Sequence, residues 1–199
     1  MIIPSIIAKN QSELNKRFNK VKSLSNNFHL DIMDGKFVKE KSLNFNFKLP
    51  KRNYSAHLML KDPTSWIKKN SNKVNTIFIQ YESNHLEEAI NLAKSKHKKI
   101  GLALNPKTKI IKIIPYLHKI DSILILTVNP GRYGSKFIPS CLKKIKQAKK
   151  IKKELKVYAD GSINNKTIRQ IKPFKPDNLI VGSYLINSNN PKQALKELR

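Results

Sequence analysis

Short apolar runs alternate along this chain with stretches in which apolar residues recur every three or four positions. The runs are "MIIPSIIA" (1–8), "FHLDIMD" (28–34), "YSAHLML" (54–60), "TIFIQYE" (76–82), "KIGLALNP" (99–106), "SILILTVNP" (122–130), "KVYADGSI" (156–163) and "NLIVGSYLI" (178–186). Their pattern predicts strands, the first made irregular by Pro4. Helical spacing between them predicts helices in "SELNKRFNKVKSL" (Leu14, Phe18, Val21 and Leu24 on one face), "PTSWIKKNS", "HLEEAINLAKSK", "KIIKIIPYLHK" with a kink at Pro115, "CLKKIKQAKKIKKELK" (141–156), "NKTIRQIK" and "PKQALKEL". Residues 36–53 fit neither template.

Repeated strand–helix alternation argues for a parallel sheet. Eight such units in 199 residues fit a compact (β/α)8 TIM barrel, a single domain spanning 1–199. A doubly wound open sheet is the alternative topology.

Composition narrows the classes. No N-terminal apolar run resembles a signal peptide, and no apolar stretch is long enough for a membrane span. Cys141 is the only cysteine, so no internal disulfide forms and a cytoplasmic setting is expected. The formal net charge is +27, which by itself could mean a polyanionic partner. The lysines, however, are spread along the whole chain beside frequent Asn and Ile, a composition that AT-rich codons favour. The densest run, 141–156, places Leu142, Ile145, Ala148, Ile151 and Leu155 on one helical face and lysines on the other, which reads as a solvated face. Nucleic acid and membrane are therefore not expected partners.

The barrel expectation carries a test, because a barrel's active site lies at the C-terminal ends of its strands. Polar residues do collect late in the strands: Ser5, His29, Asp31, His57, Gln80, Glu82, Asn105, Asn129 and Asp160. His29 and Asp31 are two apart and share one face of a strand, with Leu30 and Ile32 on the other. His29, Asp31, His57 and Asp160 offer two imidazoles and two carboxylates, a donor set for one divalent metal ion, zinc first, with iron, manganese or cobalt as alternatives. Three glycine-bearing strand ends, "NPGRYGS" (129–135), "DGS" (160–162) and "VGS" (181–183), could admit a phosphate to backbone N–H groups.

In order and in register, these segments resemble the ribulose-phosphate 3-epimerase family. "IIPSIIA" is similar to its first strand, "HLDIMDGKFV" to its most distinctive motif, and "AHLML", "ALNP", "TVNPG", "ADGSI" and "VGS" to later strand ends. The resemblance implies His29, Asp31, His57 and Asp160 as metal ligands, with Asp31 and Asp160 also the acid–base pair on opposite faces of the sugar. It implies substrate contacts at Ser5, Met33, His57 and Met59, and in the phosphate-facing loops at Gly131, Gly134, Ser135, Gly161, Ser162, Gly182 and Ser183. The implied reaction is epimerisation at C3 of a ketose phosphate, D-ribulose 5-phosphate to D-xylulose 5-phosphate, through a metal-stabilised enediolate. The implied partner is a small sugar phosphate, and a homo-oligomer is compatible.

The chain also departs from the family's pattern. Leu126 stands where a third methionine is usual, and Tyr133 and Ser135 replace residues of the sixth loop. Ser162 replaces a second glycine, and Gln80 replaces a common histidine. Residues 36–53 shorten the second helix. A six-carbon (allulose 6-phosphate) 3-epimerase and a polyanion-binding non-enzyme on the same scaffold are the competing expectations.

Overall fold

Eight parallel strands close on themselves in a computed structural model that describes residues 1–131 and 134–199. They are β1 (Ile2–Ile6), β2 (Asn27–Asp34), β3 (Asn53–Met59), β4 (Thr76–Gln80), β5 (Lys99–Leu104), β6 (Ser122–Leu126), β7 (Lys156–Asp160) and β8 (Asn178–Val181). Each pairs with the next in chain order, and β1 closes the ring against both β8 and β2. Residues 2–4 of β1 pair with β8, while Ser5 and Ile6 pair with His29 and Leu30 of β2. Pro4 therefore sits inside a regular strand, where the pairing passes from one neighbour to the other. The sheet is a TIM barrel, not an open sheet.

The α-helices are α1 (Gln11–Val21), α2 (Thr64–Asn70), α3 (Leu86–Ser95), α4 (Lys143–Ile151), α5 (Ile168–Ile171), α6 (Ser183–Ile186) and α7 (Pro191–Glu197). Asn10 caps α1: its Oδ1 accepts from the Glu13 N–H, and Glu13 Oε2 accepts from the N–H of Lys9, just before the cap. Leu14, Phe18 and Val21 are its buried face, as their spacing requires.

Three expected elements come out differently. Residues 110–116 form a 3-10 helix rather than a kinked α-helix, with Pro115, which donates no backbone hydrogen bond, inside it. The lysine-rich helix begins only after a 3-10 turn at Pro139–Leu142 and ends at Ile151, since Lys152 is extended. Leu155 reaches the core from the turn beyond it. That face is also less solvated than expected: Lys144 Nζ donates to the Asn105 and Pro106 carbonyls, and Lys152 Nζ to that of Leu117. The last run is not one strand, for it turns at Gly182 and continues as α6.

Between β2 and β3 the shortening of the second helix is complete. Residues 35–52 carry only a two-residue strand, Lys41–Ser42, antiparallel to the end of β2. The following "LNFNFKL" (43–49) alternates apolar and polar residues. Leu43 and Phe47 are buried and Phe45 and Leu49 half-buried, while Asn44, Asn46 and Lys48 are exposed. An extended chain thus covers with alternate residues the barrel wall that a helix would otherwise cover.

Two cores result. The larger lies between strands and helices and takes one parity of each strand, such as Leu30, Ile32, Ala56, Leu58, Ile77 and Ile79. The smaller fills the barrel: Ile3, Phe78, Ala103, Leu124, Leu126 and Ile180, with Tyr158 against them. Gly101 lies opposite Phe78 in the β4–β5 ladder, and a Cβ there would come within 2.3 Å of the Phe78 ring. Its missing side chain makes room for that ring, which packs against His29 (5.7 Å between centroids) and Tyr158 (4.9 Å). The barrel floor is thereby tied to the first polar layer above it.

Candidate active site

The inner parity of β2 carries His29, Asp31 and Met33 above the apolar floor. Their neighbours across the sheet are set by register: Ser5 opposite His29, His57 opposite Asp31, Met59 opposite Met33. Asp160 ends β7, opposite Leu126 of β6. One ligand atom each from His29, Asp31, His57 and Asp160 lies within 4.8 Å of every other. The sequence-predicted quartet is therefore one cluster at the C-terminal mouth.

Three of those atoms share a chemical problem. His29 Nε2, Asp31 Oδ1 and His57 Nδ1 are buried and have no hydrogen-bond partner. Asp31 Oδ1 is 3.6 Å from each imidazole nitrogen, too far for a good hydrogen bond and spaced as donors around a common point. Unsatisfied buried polar atoms are costly, and several converging ones call for an ion. The donor chemistry, two nitrogens and two carboxylates, fits a divalent metal.

The far side of each ring is engaged. His29 Nδ1 lies 2.8 Å from Ser55 Oγ, which in turn faces the Phe28 carbonyl at 3.4 Å. His57 Nε2 lies 2.7 Å from Gln80 Oε1. Such outer contacts orient ligand imidazoles and select which nitrogen stays bare. Burial, only partly offset by the nearby Asp31, pulls the His29 pKa down to about 4, so at neutral pH this ring is uncharged and free to coordinate. Burial, then the charge of Asp31, pushes the Asp160 carboxyl well above the usual carboxylate range, against one hydrogen bond from the Gly161 backbone. Without a cation, Asp160 thus tends to keep its proton beside Asp31.

A pocket opens over the cluster. Asp31, His57, Asp160, Ser5, Met33 and Met59 line it, as do Gly131, Gly134, Gly161, Ser162, Gly182 and Ser183. His29 stays fully buried behind this surface. Ser135 lies instead in a neighbouring cleft with Glu82 and Asn105, where its carbonyl accepts the Ser162 hydroxyl. Tyr133 lies outside the described residues. Leu126 occupies a pocket wall and keeps it apolar without a thioether.

Gly161 has φ +120, and a Cβ there would meet Val128 Cγ2 at 2.6 Å, so the turn after Asp160 requires glycine. The next residue, Ser162, is itself left-handed at φ +49. Asp34 ends β2 just before Gly35, which turns the chain at φ +77. The Asp34 carboxylate accepts from the Lys36 and Phe37 N–H groups and, at the end of the neighbouring strand, from that of Lys61.

Sequence reasoning missed the apolar walls Ile7, Val128, Pro130, Ile163 and Ile180, and it missed Ser55. A signal for Ser55 was present, since it stands two residues before His57 on the same strand face. The walls carry no signal because apolar residues at strand ends look like any core.

A model of the ribulose-phosphate 3 epimerase family matches residues 1–186. A ribulose-phosphate 3-epimerase of Buchnera aphidicola subsp. Baizongia pistaciae is 36% identical over the whole chain and 94% of that protein. One from Bacillus subtilis is 30% identical over the whole chain and 97% of its own length. The chain belongs to the ribulose-phosphate 3-epimerase family. Membership makes it an epimerase of carbohydrate phosphates, and its His/Asp/His/Asp cluster could bind a metal ion. The fold is shared more widely than the activity. A solved 3-hexulose-6-phosphate synthase from Salmonella typhimurium superposes with TM-score 0.70 at 13% identity, covering 99% of this chain and 95% of that one. At that identity the likeness speaks for the barrel alone. Among the described residues no helix is long and apolar enough to cross a membrane.

Proposed function

We propose that this protein interconverts D-ribulose 5-phosphate and D-xylulose 5-phosphate, using one divalent metal ion, zinc first, held by His29, Asp31, His57 and Asp160. The observation that carries the reading is the convergence of three unpartnered buried ligand atoms with a second carboxylate at the floor of one pocket. When bound, the cation supplies Lewis-acid stabilisation of negative charge on the substrate's oxygens.

The chain's own residues would do the rest. Asp31 and Asp160 come from strands three steps apart around the ring and meet across the mouth. One carboxylate takes the C3 proton from one face of the sugar, and the other carboxyl returns one to the opposite face. In the reverse direction the two carboxyl groups exchange the roles of acid and base. Met33, Met59 and Leu126 wall the reacting carbon off from water. The glycine-bearing turns at 131–134, 161–162 and 182–183 border the same pocket and suit the phosphate. We read residues 1–199 as one domain working in the cytoplasm, where the lone buried Cys141 stays reduced.

The test is a coupled assay on both pentulose phosphates with metal content measured alongside. Chelation should lower turnover by roughly 100-fold or more, and zinc should restore it. Undiminished turnover by metal-free protein would sink the metal role. Turnover of allulose 6-phosphate in preference to ribulose 5-phosphate would move the substrate to the six-carbon class.

A further inference from the structure

A neutral imidazole carries one proton, and only its bare nitrogen can coordinate a metal. At His57 that choice depends on Gln80, fully buried, whose Oε1 lies 2.7 Å from Nε2. An amide that presents oxygen forces the His57 proton onto Nε2 and leaves Nδ1 bare toward Asp31. An amide that presents its NH2 forces the reverse and puts a proton into the metal site. The glutamine amide is nearly symmetric in shape, so its own outline does not decide.

Its other end decides. Gln80 Nε2 lies 2.5 Å from Glu82 Oε2 and 3.1 Å from Asn105 Oδ1. A carboxylate only accepts hydrogen bonds, so the NH2 group must face Glu82. Glu82 is anchored in turn, because its Oε1 accepts from the Asn105 N–H at 3.3 Å and from the Thr108 hydroxyl. Every proton in the chain His57–Gln80–Glu82 then points away from the metal site. At His29 the lock is shorter and weaker: the Ser55 hydroxyl donates to the Phe28 carbonyl at 3.4 Å, which leaves its oxygen to accept from Nδ1–H at 2.8 Å.

We propose that Glu82 is a positioning residue, which through Gln80 sets the tautomer of His57 so that Nδ1 is a lone-pair donor to the metal. This rests on the metal reading given above. It also gives a physical account of Gln80 in place of a histidine: a neutral imidazole there could likewise accept from His57 and donate to Glu82.

The experiment compares wild type with Glu82→Gln, Gln80→Leu and Gln80→His. Nitrogen-15 shifts of the imidazoles are read in the metal-free protein, and zinc affinity is read by chelator competition. Wild-type His57 should be protonated at Nε2. Glu82→Gln removes the obligatory acceptor, so both tautomers should appear and zinc affinity should fall by about 10- to 100-fold. Gln80→Leu should lose at least as much, and Gln80→His should retain near wild-type affinity with the Nε2 proton in place. The proposal is overturned if Glu82→Gln keeps a single Nε2–H tautomer and wild-type affinity, or if Gln80→His binds zinc as weakly as Gln80→Leu. Should Glu82→Gln not fold, the contrast between the two Gln80 variants decides. Should the wild type bind no zinc, the metal reading fails, and the ring shifts alone decide the tautomer role.

Discussion

At the scale of single residues, the proposed chemistry turns on two carboxyl groups with different surroundings. Asp31 lies between two imidazole nitrogens, while Asp160 is driven toward its protonated form by burial and by Asp31. Asp31→Asn and Asp160→Asn each remove one proton carrier and nearly preserve shape. Each should lower epimerisation by roughly 10²- to 10⁴-fold. In deuterated water the surviving carboxyl should still exchange the proton on its own face, so one variant labels ribulose 5-phosphate and the other xylulose 5-phosphate. Mass spectrometry of both sugars reads this, with metal content checked, because both residues are proposed ligands. Near wild-type epimerisation by two metal-loaded variants would end the acid–base assignment. The four proposed ligands were legible in the sequence because ionisable residues late in strands are out of place in an ordinary core. The roles of Ser55, Gln80 and Glu82 were not, although Ser55 stands two residues from His57 and Glu82 two from Gln80, because the contacts Ser55–His29, Gln80–His57 and Gln80–Asn105 join different strands and have no sequence spacing.

At the scale of elements, the floor of the barrel holds the site from below. Phe78 fills space that Gly101 vacates on the neighbouring strand and packs against His29. Gly101→Ala should overpack that layer and cost about 1–3 kcal/mol of stability. Urea unfolding at neutral pH checks it, and adding Phe78→Leu should recover part of the loss. A Gly101→Ala protein as stable as wild type would show that the ring has room to move. Strand positions were legible from apolar runs. Helices were legible where a cap and a face agree, as in α1. Element identity was lost at two places: residues 110–116 around Pro115 wind as a 3-10 helix, and Gly182 ends a strand and opens a helix inside one apolar run. The extended 43–49 segment shows the opposite case, a period of two that only a covered barrel wall makes meaningful.

At the scale of the whole molecule, 40 basic residues face 13 acidic ones. Several of the acidic ones are committed to particular contacts, Glu13 to a helix cap, Asp34 to the mouth loops, and Asp177 to Lys149 and the Val157 N–H. Carboxylates are thus too few to pair with most of the lysines, which are spread along the whole chain. Such a surface should bind DNA by counterion release alone: weakly, without sequence preference, and with affinity falling by orders of magnitude between about 50 and 200 mM salt. Fluorescence anisotropy across that range reads it, and sequence-selective binding that persists at the upper salt would give the charge a function of its own. The sequence by itself determined the alternation of strands and helices, and with it a parallel sheet, because hydrophobic spacing is a local property of the chain. It also determined which residue types stand at the strand ends. Only the tertiary structure decided that the sheet closes, that atoms from β2, β3 and β7 meet within 4.8 Å, and which nitrogen of each histidine faces the others. Those are set by inter-strand register and by contacts between residues far apart in the chain, which no local pattern encodes.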